Sequence, residues 1–199
     1  MNVSVCMATF NGQKYIKRQI LSILTQLNSL DELVIFDDAS NDKTISIING
    51  FKDERIKLFI NQKNLGPVST FNKALSNAKN EIIFLSDQDD YWLSNKVLNI
   101  KNIFKNQSID LIVHDAKVIK NNKVLFCSLF KMHNSSSGLF KNLISNRFTG
   151  CCMALRKKTL DDLMPIPIKK GIYHDAWLGI LAILLKKKIL FLNEKLLEW

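Results

Sequence analysis

Four short apolar runs, each breaking into a polar loop, limit the folds open to this chain more than any other feature. They are Val3–Ala8 (VSVCMA), Leu33–Phe36 (LVIF), Ile56–Ile60 (IKLFI) and Ile82–Ser86 (IIFLS). Short runs with little polar alternation read as strands of a sheet covered on both faces. Between them, apolar residues recur at helical spacing: Tyr15, Ile16, Ile20, Ile23, Leu24 and Leu27, then Ile45, Ile47 and Ile48, then the segment Val68 to Ala78. The polar cluster Asp37–Asp42 offers an N-cap for the second of these helices. Strand and helix alternate as repeated βαβ units, so a mostly parallel sheet is expected. Such sheets bind ligands beyond the carboxyl ends of their strands, where the strand order reverses.

The remainder is less regular. Ser94 is placed to cap a helix carrying Val97, Leu98, Ile100, Ile103 and Phe104. Leu111–Ile119 and Val124–Leu129 read as strands joined by a tight turn at Asn121-Asn122. Gly150–Leu155 is a further expected strand, and Pro165 and Pro167 mark an irregular loop. A helix follows from Ala176 to about Leu185, and Ile189–Leu192 reads as a closing strand. No repeat, low-complexity stretch or linker appears, so 199 residues with 47% hydrophobic content suit one domain.

Composition narrows the function. The net charge of +10 reads either as a Lys-, Asn- and Ile-rich proteome bias or as attraction to anionic partners such as phosphates or acidic lipid surfaces. Nucleic acid is not expected, because neither a basic helix nor an aromatic reading platform accompanies the charge. The first residues lack the pattern of a secretory signal, and the longest apolar segment, Trp177–Leu185, is too short to span a bilayer. Cys6, Cys127, Cys151 and Cys152 have no zinc or disulfide spacing and read as small core residues in a reducing cytoplasm.

Chemistry concentrates where strands end. Ile82–Ser86 runs into Asp87-Gln88-Asp89-Asp90. Crowded carboxylates repel one another and resist burial. A divalent cation relieves that repulsion, and hard oxygen ligands suit Mg²⁺ or Mn²⁺, which keep positions open for diphosphate oxygens. In an extended segment Asp87 and Asp89 point to one side. The bland alternative is a solvated acidic turn. Asp37-Asp38 likewise follows a buried strand, where a carboxylate can accept hydrogen bonds from a base N–H or a ribose hydroxyl. The Thr9–Gly12 loop has neither a G-x-G-x-x-G pattern nor a P-loop lysine.

With these residues in view, VSVCMATFNG, LVIFDDASNDKT and NLGPVSTFNKALSNAKNEIIFLSDQDDYW together resemble the family 2 glycosyltransferases of the GT-A fold. Later, TGCCMALRK and YHDAWLGILA resemble acceptor-side segments of rhamnosyltransferase-like bacterial members. The resemblance implies a Rossmann-like three-layer αβα sandwich with a mixed, mostly parallel sheet. Residues 1–93 would form a nucleotide-sugar donor half and residues 94–199 an acceptor half. It implies that Thr9 and Asn11 sit beside the nucleotide, that Asp37 and Asp38 hold base and ribose, and that Asn64 and Gly66 turn against the donor. Asp87 and Asp89 would match the metal-binding D-x-D pair, with Asp90 near the transferred sugar or its diphosphate. Asp175 would match the catalytic carboxylate. Gly150, Cys151 and His174 would lie toward the acceptor.

The implied reaction is inverting, metal-dependent transfer from a nucleoside-diphosphate sugar to a hydroxyl of a glycan or lipid-linked glycan, in bacterial surface-polysaccharide synthesis. The implied location is the cytoplasm, with peripheral contact at the inner face of the membrane. From the residues alone, Asp175 reads equally well as a helix N-cap. Relatives usually continue past this point, so a C-terminally short chain is expected, with acceptor closure in question. The absence of Gln-x-x-Arg-Trp after Asp175 argues against a processive synthase. The main alternative is a truncated, non-catalytic nucleotide-sugar-binding or assembly subunit. A sugar-nucleotide pyrophosphorylase would instead need a glycine-rich, basic first loop.

Overall fold

A computed structural model describes residues 1–120, 123–133, 135 and 146–199. Its strands are β1 (Val3–Thr9), β2 (Glu32–Asp37), β3 (Ile56–Ile60), β4 (Ile82–Ser86), β5 (Tyr91–Trp92), β6 (Leu111–Lys120), β7 (Lys123–Phe126), β8 (Met153–Arg156) and β9 (Ile189–Glu198). Its helices are α1 (Ile16–Leu24), α2 (Thr44–Asn49), α3 (Pro67–Asn77), α4 (Lys96–Asn106), α5 (Leu129–His133), α6 (Lys157–Leu163) and α7 (His174–Leu184). A 3₁₀ turn at Gly150–Cys152 leads into β8.

The apolar runs build the expected parallel core. β3, β2, β1 and β4 lie side by side in that order, all parallel. Val5, Leu33, Ile35, Ile83 and Phe84 are essentially sealed from solvent. Each such side chain contributes about 1.5–3 kcal/mol through burial. Because the order runs outward from β1 and then returns to its other side, the reversal falls between β1 and β4. That crevice is where a doubly wound sheet places its ligand. α3 packs on β1 and β2 and touches α7, whereas α1 packs with α2 and β5.

Beyond β4 the sheet becomes mixed. β8 joins β4 and β6 antiparallel, β9 runs parallel to β6, and β5 closes the edge antiparallel to β9. Here the structure extends or corrects the sequence expectations. β9 runs to Glu198 rather than stopping at Leu192, because its second half pairs with Tyr91 and Trp92. β7 ends at Phe126, and the chain is helical again from Leu129. Gly150–Cys152 is a turn, not strand. The residue entering α4 is Asn95, left-handed at φ 74°, with no side-chain cap from Ser94. Cys6, Cys151 and Cys152 are buried as expected, but Cys127 is exposed. The proposed turn at Asn121-Asn122 lies outside the described residues. No helix among the described residues is long and apolar enough to cross a membrane.

Candidate functional site

The β1/β4 crevice opens into a small cleft of about 230 Å³. It is lined by Thr9 at the end of β1 and Phe10 after it, Asp38 after β2, Asn64 and Gly66 before α3, and Asp87, Gln88 and Asp89 after β4. Four loops far apart in sequence therefore meet because each leaves the same end of the sheet.

The loops lining the cleft are tied to one another. Asp38, 4% exposed, accepts hydrogen bonds from Asn61 Nδ2 (2.9 Å), Leu65 N (2.8 Å) and Gly66 N (2.8 Å). It thereby folds the Asn64–Gly66 turn. Gly66 sits at φ 82°, a conformation costly for residues with a Cβ, and the direction its Cβ would take is open. Asp37 is fully buried and accepts from Ser40 N (2.7 Å) and Ser40 Oγ (2.6 Å), pinning the next turn. Asn11 is exposed at φ 49°, and its Oδ1 accepts from Asn41 N (3.0 Å). Asp37 and Asn11 do not line the cleft.

Gln88, the middle residue of D-x-D, was given no role by sequence. Its Oε1 accepts from the Thr9 hydroxyl (2.6 Å) and from Phe10 N (3.0 Å), while its Nε2 donates to Phe10 O (3.2 Å). The amide thus imitates a strand partner and latches the β4 loop onto the β1 loop. Gly12 makes room for it, since a Cβ there would come 2.2 Å from Gln88 Oε1. α1 and the turn after it brace the segments on either side of this loop: Gln19 Nε2 donates to Ser86 Oγ (2.8 Å), Ser22 Oγ accepts from Trp92 N (3.1 Å), and Gln26, just past the helix, accepts at Oε1 from Val97 N of α4 (3.2 Å). Gln19 and Ser22 share one face of α1. Polar residues among hydrophobic helix positions were the missed signal.

The acids divide by depth. Asp89 is exposed, Asp87 is half-buried and Asp90 is 4% exposed beneath the loop, outside the cleft lining. One carboxylate oxygen each from Asp87 and Asp90 and the Cys151 sulfur lie within 4.8 Å of one another. Burial, reinforced by the charges of Asp89 and Asp175, raises Asp87 to about 6. Burial and the charge of Asp87 push Asp90 well above the usual carboxylate range, and its Oδ2 has no hydrogen-bond partner. Clustered acids held back from ionising, one with an orphaned oxygen, fit a divalent cation.

Asp175 lies in the first turn of α7, not at its N-cap, which is Tyr173. Its Oδ1 accepts from Ala176 N (2.7 Å) and its Oδ2 from Gly150 N (3.3 Å). The Gly150–Cys152 turn that holds it also places the Cys151 sulfur within 4.8 Å of the Asp87 and Asp90 carboxylates, so the acid loop and Asp175 meet across one turn. His174 stacks on Phe71 with ring centroids 4.0 Å apart; Phe71 lines the cleft. Burial, opposed by the Asp175 charge, lowers the His174 pKa. Cys151 is buried, and its thiol pKa is raised first by its hydrogen bond with Cys152 and then by burial, which does not suit a nucleophile. His114 is sealed in β6, with Nδ1 on Asp115 O at 2.7 Å.

A doubly wound sheet with an acid loop at its strand-order reversal and a mixed second half has the architecture of the GT-A class. Solved structures agree on the fold. TarS from S. aureus superposes with a TM-score of 0.80 at 23% identity, covering 100% of this chain and 60% of that one. The mannosyltransferase PcManGT from Pyrobaculum calidifontis, in complex with GDP-Man and Mn²⁺, superposes with a TM-score of 0.77 at 18% identity, covering 99% and 56%.

Glycosyl transferase family 2 matches residues 4–164, and the chain belongs to that family. The Escherichia coli UDP-Glc:alpha-D-GlcNAc-diphosphoundecaprenol beta-1,3-glucosyltransferase WfgD is 30% identical over 180 residues, covering 90% of this chain and 69% of that protein. The chain spans 48% and 58% of two further relatives, uncharacterized glycosyltransferases from Haemophilus influenzae and a Nostoc species.

Proposed function

We propose that this chain transfers a sugar from a nucleoside-diphosphate sugar to a hydroxyl, with inversion at the anomeric carbon. The observation carrying this reading is that one turn joins the two acidic groups: Gly150 N–H donates to Asp175, and the adjacent Cys151 sulfur lies within 4.8 Å of the Asp87 and Asp90 carboxylates, beside a cleft built from strand-end loops. The donor would lie along the β1/β4 crevice, with its nucleotide toward Asp38 and the Asn64–Gly66 turn and its diphosphate toward Asp87 and Asp89. Asp87 and Asp89 would hold Mn²⁺ or Mg²⁺, which when bound offsets charge on the departing diphosphate. Asp175 accepts the acceptor hydroxyl's proton as that oxygen attacks. Oδ2 of Asp175 already takes a hydrogen bond from Gly150, which steers the carboxylate. One base on one face predicts inversion.

The donor half would comprise residues 1–93 and the acceptor half residues 94–199. A UDP-sugar donor is the choice we favour. WfgD is named for UDP-Glc, and TarS was solved with UDP and with UDP-GlcNAc. The names of WfgD and of a Campylobacter jejuni relative specify undecaprenyl-diphosphate-linked acceptors, which supports a lipid-linked glycan here. A Bacillus subtilis relative named for teichuronic acid synthesis supports a role in surface polysaccharide. Work at the inner membrane face would follow, aided by the net charge of +10.

The test is a thermal-shift and calorimetric screen of UDP, GDP and their sugars with and without Mn²⁺. Stabilisation by a UDP-sugar should require metal and vanish in Asp89→Asn. Binding unaffected by chelator would refute the metal assignment, and NMR showing a retained anomer would refute the single-base mechanism.

A further inference from the structure

Lys96 is the residue of the site that neither motif nor reaction accounts for. It opens α4, yet its side chain is 0% exposed. A lysine at a helix N-terminus meets the unfavourable end of the dipole, and a surface lysine normally extends its ammonium into water. Burying an ammonium costs several kcal/mol unless partners compensate. Lys96 Nζ donates to Cys151 O at 2.9 Å and stands 4.0 Å from the centroid of the Trp92 ring. Its charge also acts on both Asp87 and Asp90.

The carbonyl it holds belongs to the Gly150–Cys152 turn, and that turn faces two ways. On one side Cys151 offers its carbonyl to Lys96 and its sulfur to the Asp87–Asp90 pair. On the other, Gly150 N–H donates to Asp175 Oδ2 at 3.3 Å. The fit is close: a Cβ on Gly150 would come 2.8 Å from His174 Nε2 and 3.5 Å from Asp175 Cβ. Trp92, under the ammonium, is held by Ser22 of α1 and paired with Leu197 of β9. The lysine therefore stands between a braced acid loop and a turn whose contact to Asp175 is one hydrogen bond.

We propose that Lys96 is a positioning residue: its buried ammonium ties the Gly150–Cys152 turn to the acid loop and so sets where Asp175 stands relative to the donor. This rests on the transferase reading for the role of Asp175, but not for the coupling itself.

The experiment compares wild type with Lys96→Met, which keeps length and removes charge, and Lys96→Gln, which keeps a donor. Hydrogen exchange of the amides at 149–152 and 174–177 is measured on the ligand-free chain, UDP–Mn²⁺ affinity by calorimetry, and kcat by donor turnover. In Lys96→Met, exchange at both segments should quicken at least tenfold and kcat should fall at least thirtyfold, while UDP–Mn²⁺ affinity moves less than threefold. Lys96→Gln should recover part of the kcat. Unchanged exchange at 174–177 would overturn the coupling. So would a fall in affinity matching the fall in kcat, or failure of both variants to fold, since each makes Lys96 a general support of the domain. A wild type that neither binds UDP–Mn²⁺ nor turns over a donor refutes the transferase reading, while the exchange comparison still decides the coupling.

Discussion

The two sides of the cleft are built to different standards. On the donor side, side chains that line it are already engaged with one another: Asp38 accepts three hydrogen bonds and Gln88 bridges two loops with three more. On the transfer side, Asp175 touches the neighbouring turn through one 3.3 Å bond, and Asp90 Oδ2 and His174 Nε2 are buried without partners. Buried polar atoms left unpaired cost free energy. The contrast teaches that donor binding can rely on geometry already made, whereas the transfer side retains polar groups that a ligand could satisfy.

The strongest way to break this comparison is Asp175→Asn. General-base catalysis is worth about 10²–10⁴ in rate, so turnover should fall about a thousandfold with UDP–Mn²⁺ affinity nearly unchanged. Equal losses of both, measured by steady-state kinetics and calorimetry, would mean the two sides are not separable. Next comes the latch. Gly12→Ala would place a Cβ 2.2 Å from Gln88 Oε1, and Gln88→Ala removes the amide itself; each should weaken UDP–Mn²⁺ binding about tenfold in calorimetry, the order of one or two lost hydrogen bonds. Agreement between the two variants would show that the bridge, not either residue, positions the loop.

A smaller loss is expected from Gly66→Ala. Forcing a Cβ into φ 82° costs about 1–2 kcal/mol, which should appear as a lower unfolding midpoint and a few-fold weaker nucleotide binding. The smallest effect concerns pH. In metal-free protein the folded chain holds the Asp87 proton to about 6, while the unfolded chain releases it near 3.8. The native state therefore binds more protons between these values, and stability should fall as pH rises from about 4 to about 6. Asp87→Asn should flatten that slope in denaturant titrations; an unchanged slope would remove Asp87 from its cause.

The parallel core was readable because VSVCMA, LVIF and IIFLS carry burial in their composition, and a parallel sheet follows from alternation with helices. The acid loop was readable because carboxylates at a strand end are chemically conspicuous, whereas Asp175 stood out from a helix N-cap only through the family resemblance. Other features were not. β5 is two residues long and exists because β9, far along the chain, supplies its partner; no local pattern announces such a strand. Gln88 and Lys96 are ordinary polar residues in sequence, and their positions depend on tertiary contacts to Phe10 and Cys151. Asp37 and Asp38 look alike as neighbours, yet the structure seals Asp37 into a turn and turns Asp38 toward the cleft.

The pairing of Tyr91 with Glu198 and Trp92 with Leu197 bears on how this protein is made. The ribosome delivers Asp87–Asp90 about a hundred residues before the strand that fastens the segment just after them. Contacts of such long separation form late and slowly. A nascent chain can assemble its first four strands, yet the register of its acid loop stays unsettled until β9 emerges. On the proposed reading, nucleotide capture should therefore switch on only once β9 has been made, and a chain that has not reached β9 would not be held half-folded around a nucleotide.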